Sequence, residues 1–301
     1  MTHEWFFRLR IVLLTVSGIT LSSFLITALL LFAAGGRNER NVPHADTDTF
    51  IYSFNAPGIL HETTSAEKSP SPYWFLESGG EMIIENGIGE TLQYMLPSQD
   101  RWRIAYGRSS SIDTDNGFRP QNLFRLLTKS RWENFSQQAQ FYIARDNFSA
   151  SQNRGASNGI LFMSRYNGNG ETLYYGGIRV DGTAVIKKKY RGRYYTMAQA
   201  KLFPGVYSVS GGGSSRNLLP HDEWFGLKLT TITNVGGGVT LSLYVQRSGR
   251  VPWSEVLSAT DTGKNYGGTP PIIGPNLAGI RTDFMDIKFD DYRVENISVQ
   301  S

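Results

Sequence analysis

TLYYGGIRVDGTAVIKKKY, residues 172–190, decides the fold class. Two runs rich in Tyr, Ile, Val and Thr flank Asp181-Gly182. Such runs, alternating in polarity and broken by an Asp-Gly pair, form a β-hairpin. Asp-Gly favours a two-residue type I′ turn, because both central positions need a positive φ. That turn sets Val180 opposite Thr183, Ile178 opposite Val185 and Gly176 opposite Lys187. One face then carries Ile178, Val180 and Val185 and suits a core. The other sets Arg179 opposite Ala184, Tyr175 opposite Lys188, and Leu173 opposite Tyr190. A slip of one residue would exchange the faces.

The same texture extends in both directions. Residues 224–246 alternate (WFGLKLT), break at Asn234-Val-Gly-Gly-Gly and resume (VTLSLYV), which reads as a second, longer hairpin. Residues 283–294 (DFMDIKFDDYRV) set Met285, Ile287 and Phe289 against Asp286, Lys288 and Asp290, as in a half-buried strand. From about residue 58 onward no amphipathic helical stretch of ordinary length and no fixed-period repeat interrupts this pattern. The expectation is an all-β sandwich of two antiparallel sheets over residues 58–301, preceded by a polar stalk at 37–57.

Residues 11–36 are uncharged and mostly apolar (IVLLTVSGITLSSFLITALLLFAAGG). As a helix they reach roughly 39 Å at about 1.5 Å per residue, more than the roughly 30 Å of a bilayer's hydrocarbon core. This predicts one transmembrane helix after a short flank at 1–10. The alternative is a signal peptide cut near Ala33-Ala34-Gly35-Gly36 and a secreted domain. Arginines at 8, 10, 37 and 40 balance the flanks. The short N-terminus argues for a single-pass protein with its domain on the extracytoplasmic side. The absence of cysteine removes disulfides, zinc-thiolate sites and a thiol nucleophile. A formal net charge of +4, half of it in residues 1–40, leaves no concentrated basic footprint and excludes non-specific nucleic-acid binding.

The runs at residues 224–245 and 279–294, with YWFLESGG at 73–80, resemble strands of concanavalin A-like jelly-roll domains. That superfamily includes legume-type lectins, laminin-G-like modules, family 16-type glucanases and polysaccharide lyases. The resemblance implies a jelly-roll sandwich and carbohydrate as the partner class. It does not carry an activity, because sandwich folds host many. The Glu-x-Asp-x-x-Glu strand of the glucanases is missing. Glu77 and Glu81 are separated by Gly79-Gly80, which reads as a turn. The Gln-x-His strand of alginate-type lyases is also missing: residues 137–145 (QQAQFYIAR) lack the histidine, and His221 sits in a polar turn.

One candidate site is a strip of Tyr175, Arg179, Lys188 and Tyr190 on the polar hairpin face. Aromatic rings there would stack on sugars, and the cations would pair with acidic substituents. Lys187, Lys189, Arg191 and Arg193 add positive charge nearby. The plain alternative is a solvated strand face. A structural Ca²⁺ between Glu62 and Asp290 is what the resemblance implies at the junction of first and last strands, and Asn167-Gly-Asn-Gly-Glu171 reads as a turn. No organic cofactor is expected. The functional expectation is a membrane-anchored module binding polysaccharide, acidic by preference. The alternative is a lyase that cleaves uronate chains by β-elimination, with tyrosine as base and acid.

Overall fold

A computed structural model of the chain describes residues 49–247 and 252–299. The apolar run at 11–36 lies outside them. Among the described residues no helix is long and apolar enough to cross a membrane.

The chain forms two antiparallel sheets, with strands numbered along the sequence. The nine-stranded sheet runs β14 (Ser254–Asp261), β13 (Val239–Arg247), β12 (Phe225–Thr233), β7 (Phe135–Asp146), β16 (Met285–Asn296), β5 (Ile88–Thr91), β4 (Glu81–Glu85), β2 (Gly58–His61), and β1 (Thr49–Tyr52) also pairs with β16. The seven-stranded sheet runs β11 (Arg193–Lys201), β10 (Thr183–Tyr190), β9 (Leu173–Arg179), β8 (Gly159–Tyr166), β15 (Asn276–Asp283), β6 (Leu123–Trp132), β3 (Trp74–Ser78). Helix α1 (Arg101–Ser109) is capped by Asp100, whose carboxylate accepts Trp102 N at 2.7 Å and Arg103 N at 3.3 Å. The two-layer architecture expected from the alternating pattern is present. Its first strand, β1, falls inside the segment read as stalk, so the sandwich starts at Thr49 rather than at residue 58.

The inner faces of both sheets share one core in which Phe124, Phe141, Phe162, Phe225, Phe289 and Tyr292 are almost fully buried. The expected hairpin of β12 and β13 is present, Thr233 opposite Val239, with the glycine-rich loop between. The segment 283–294 is not one strand. Phe284 takes φ 57° and separates β15 in one sheet from β16 in the other.

The hairpin of β9 and β10 differs from expectation by one residue. Ile178 faces Ala184, Gly176 faces Ile186 and Tyr175 faces Lys187. Only Gly182 takes a positive φ (76°); Asp181 does not. Its carboxylate instead accepts Thr183 N at 3.0 Å and pairs with Arg179 at 2.5 Å, which holds it out of the left-handed region. A type I turn followed by a left-handed glycine makes a longer loop than type I′. The slip turns β10 over: Ala184, Ile186 and Lys188 point into the core, and Val185 and Lys187 point away from it.

Candidate functional site

The face of the seven-stranded sheet turned away from the core is itself partly covered. Phe75, Leu127, Leu161, Met163, Tyr175 and Leu277 belong to a second buried cluster there. Loops 110–118 and 147–158 lie over one side and are tied together, as Asp113 accepts Ser151 Oγ at 2.5 Å and Asn153 Nδ2 at 3.0 Å. A cavity of about 440 Å³ remains, lined by Asn153, Tyr175, Lys187, Tyr194, Arg281 and Asp283 among others. Leu123 lines both this cavity and another of about 320 Å³ that contains Glu62, Trp102, Tyr106 and Arg125.

At the centre of this cleft, Arg281 Nη1 donates to Tyr175 Oη at 3.1 Å, while Nε and Nη2 bind Asp283 at 3.0–3.2 Å. Burial opposes the guanidinium charge, but the Asp283 carboxylate outweighs it and the arginine is held protonated more firmly than usual. Tyr194 stacks on Tyr175, centroids 6.3 Å apart and planes 21° from parallel, and is itself 51% exposed. Burial alone would raise the Tyr194 phenol. The charges of Arg281 and Lys189 outweigh it and hold the pKa below the usual tyrosine range. Tyr175 is driven the other way, chiefly by burial.

Lys187 is half-buried beside this pair, its ammonium 5.2 Å from the Tyr194 ring. Among the described residues it makes no ion pair, whereas Arg281, Arg179, Arg125 and Lys189 are each matched by a carboxylate. Burial lowers its pKa, and the charges of Arg179 and Arg281 lower it further. Among the described residues no carboxylate answers the charge of Lys187 in the cleft.

The four residues of the expected strip are divided between the faces. Tyr175 and Arg179 lie on the cleft face. Lys188 lies on the core face, fully buried against Asp261 at 2.6 Å, and the Tyr190 ring packs beside it against the core. The one-residue slip is the cause. Lys187 takes the place expected for Lys188, while Tyr194 and Arg281 come from strands the expectation did not include. The run Lys187-Lys-Lys189 carried part of that signal. Arg281 carried none, because its closeness to Tyr175 depends on pairing across 106 residues of chain.

Glu62 and Asp290 share no partner among the described residues. Glu62 Oε2 accepts Tyr106 Oη at 2.5 Å and Gly80 N at 2.9 Å, and Asp290 accepts Asp291 N at 2.7 Å. Calcium takes six to eight oxygens, and no group of three or more His, Asp or Glu converges among the described residues. Glu77 and Glu81 end and begin strands in different sheets, with Gly79 and Gly80 turning between them. Strand β7, which holds the run 137–145 compared with a lyase strand, belongs to the nine-stranded sheet and not to the sheet that carries the cleft.

Glu62 yields a first test. Burial raises its pKa, and the bonds from Tyr106 and Gly80 only partly oppose this. The folded chain therefore binds the proton more tightly than the unfolded chain. Stability contributed by the protonated carboxyl is complete below the ordinary glutamate pKa of about 4.3 and declines as pH rises through the higher folded value. Glu62→Gln keeps an acceptor for both donors and removes the ionisation. Its melting temperature is expected to exceed that of the parent at pH 7 and to converge with it near pH 4; a parallel offset at both pH values would contradict the assignment.

No family model matches this chain, and no curated protein matches it. Solved structures do. Carbohydrate-binding module CBM66 from Bacillus subtilis aligns at 12% identity over 58% of this chain and 82% of its own, with a TM-score of 0.40. A β-glucanase from Bacillus licheniformis aligns at 9% identity over 84% and 100%, with a TM-score of 0.42. A Bacillus subtilis protein of unknown function with a galectin-like fold aligns at 14% identity over 74% and 89%, with a TM-score of 0.41. At these values the likenesses carry no argument about this chain. Nothing about ligand follows from them, and the architecture stands on the strand pairing above.

Proposed function

We propose that the cleft on the seven-stranded sheet binds an acidic polysaccharide outside the cell, with the chain tethered to the membrane by its N-terminal apolar segment. The observation that carries this reading is Lys187: half-buried, crowded by Arg179 and Arg281, and without a counterion among the described residues. A carboxylate or sulfate on a sugar would supply the missing negative charge in a charge-assisted contact. The exposed ring of Tyr194, stacked on Tyr175, offers an apolar face to the pyranose beside it. A cleft with a few convergent polar groups over a partly apolar floor is the usual form of a small-molecule or chain-binding site.

A second reading has one specific support, the lowered pKa of Tyr194. In β-elimination a phenolate at Tyr194 would take the proton α to a uronate carboxylate. The electron pair left behind forms the double bond as the glycosidic oxygen departs, and that oxygen gains a proton from solvent. Arg281 and Lys187 would stabilise the carboxylate as negative charge builds on it.

One experiment serves both readings. Full-length protein in detergent is run through native gels containing alginate, pectate or glucuronan, and the same mixtures are followed for ultraviolet absorbance of unsaturated product. Retention on an acidic polymer, weakened by Tyr194→Ala and by added salt, is the expected result. Product that accumulates and disappears with Tyr194→Phe would move the conclusion to the lyase. A folded protein retained by none of the three polymers would overturn both.

A further inference from the structure

The sequence holds six tryptophans. Trp74 and Trp132 are core residues, and Trp102 lies on α1 beside the cleft. Trp224 and Trp253 belong to neither buried cluster. Both lie on the outer face of the nine-stranded sheet, which the cleft does not use.

The register places them as neighbours. Outward positions along β12 follow Trp224 with Gly226 and Lys228, and on β7 Gln140 pairs with Gly226 and Gln138 with Lys228. The Trp224 ring is 5.6 Å from that of Tyr142. Trp253 rests on Gly226: a Cβ there would come within 2.6 Å of Trp253 Cη2, so only glycine lets the indole lie against the strand. The Lys228 ammonium lies 4.6 Å from the centroid of the same ring. Two aromatic stations thus stand about two residues apart along a strand, roughly 7 Å. Flanking Gly226, Gln140 Nε2 donates to Gln246 Oε1 at 2.8 Å. A groove of about 650 Å³ continues from Trp224 and Tyr142 across to Gln93 and Lys288.

The chemistry of this face differs from that of the cleft. The two charged residues lining the groove, Glu90 and Lys288, pair with each other at 3.4 Å. Among the residues lining the groove no cation is left unmatched; Lys228 lies outside it, against the Trp253 ring. The apolar surface is divided into separate rings set among amides, unlike the continuous apolar centre of a protein interface. Flat rings for sugar faces, with amides for hydroxyls, match a neutral glycan chain. We infer that the outer face of the nine-stranded sheet is a second polysaccharide-binding surface, and that its ligand is an uncharged glycan. The surface stands whether or not the cleft binds an acidic one.

The test uses full-length protein in detergent, in native gels containing mixed-linkage β-glucan, xylan, galactomannan or dextran. Retention on at least one neutral polymer is expected, weakened roughly tenfold by Trp224→Ala or Trp253→Ala with cooperative melting preserved. Where either variant fails to fold, Tyr142→Ala replaces it. Absence of retention on every neutral polymer, or retention that survives these substitutions, overturns the proposal. A concentration-dependent dimer that the tryptophan variants dissolve would also overturn it, by making the face a contact between copies of the chain. Retention on alginate is read separately, and its loss in Lys187→Met assigns it to the cleft.

Discussion

Replacing Lys188 by methionine is expected to lower the free energy of unfolding by about 3–5 kcal/mol while leaving retention on acidic polysaccharide unchanged. The two side chains of the Lys188–Asp261 pair are fully buried, 2.6 Å apart. Nζ also donates to the carbonyls of Thr269 at 2.9 Å and Pro270 at 2.8 Å, so all three ammonium hydrogens have acceptors. Tyr174 Oη donates to the same Asp261 oxygen at 2.7 Å. Methionine removes the cation and leaves a carboxylate in the core with only neutral donors. An uncompensated buried charge is costlier than the absence of the whole pair. The double variant Lys188→Met/Asp261→Asn is therefore expected to recover much of the loss. Urea unfolding of the parent and the two variants measures this. Loss of glycan retention in a fully stable Lys188→Met protein would show instead that β10 presents Lys188 to the cleft, and would restore the register expected from an Asp-Gly turn.

That lysine shows where the sequence is and is not readable. Alternation over residues 224–246 predicted both strands and their hairpin, and each strand has one apolar face, so a slip would expose Leu227, Leu229, Leu241 and Leu243. The hairpin at 172–190 lacks that safeguard. Both its faces are buried, one against the other sheet and one beneath the cleft loops, so Val185 and Ile186 are equally acceptable inside. Register there depends on the turn, and the turn depends on whether the Asp181 carboxylate binds Thr183 N and Arg179. That competition between side chain and backbone leaves no trace in polarity. The crossing at Phe284 was hidden for a related reason: one residue of positive φ redirects the chain without disturbing alternation on either side. Strand β1 is four residues long and gains its place from β16, almost the whole domain away in sequence. The cleft was half readable. Tyr175 and the lysine run lay in the hairpin already singled out, whereas Tyr194, Arg281 and Asp283 are joined to them by sheet order alone.

Lys187, one residue from Lys188 but on the opposite face, carries the second large effect. Lys187→Met is expected to weaken retention on alginate or pectate about tenfold, and Lys187→Glu about a hundredfold, with melting temperatures near that of the parent. A hydrogen bond to a charged group is worth about 1.5–3 kcal/mol, and about 1.4 kcal/mol is a factor of ten in affinity. Reversal adds repulsion between the new carboxylate and the acidic ligand. Stability is spared because Lys187 has no ion pair to lose and its release relieves crowding with Arg179 and Arg281. The same crowding sets a pH dependence. Burial and the two arginines hold the Lys187 pKa below the ordinary lysine value of about 10.4, so its charge disappears earlier as pH rises. Tyr194, whose pKa also lies low, becomes an anion over the same range. Both changes remove attraction for a negative chain. Affinity for an acidic polymer should therefore decline at lower pH than an ordinary lysine and tyrosine would impose, and the Lys187→Met variant should keep only the decline due to Tyr194. Retention measured at fixed ionic strength from pH 6 to pH 10 separates the two contributions. A profile that stays flat across that range in the parent protein would remove Lys187 from the binding site.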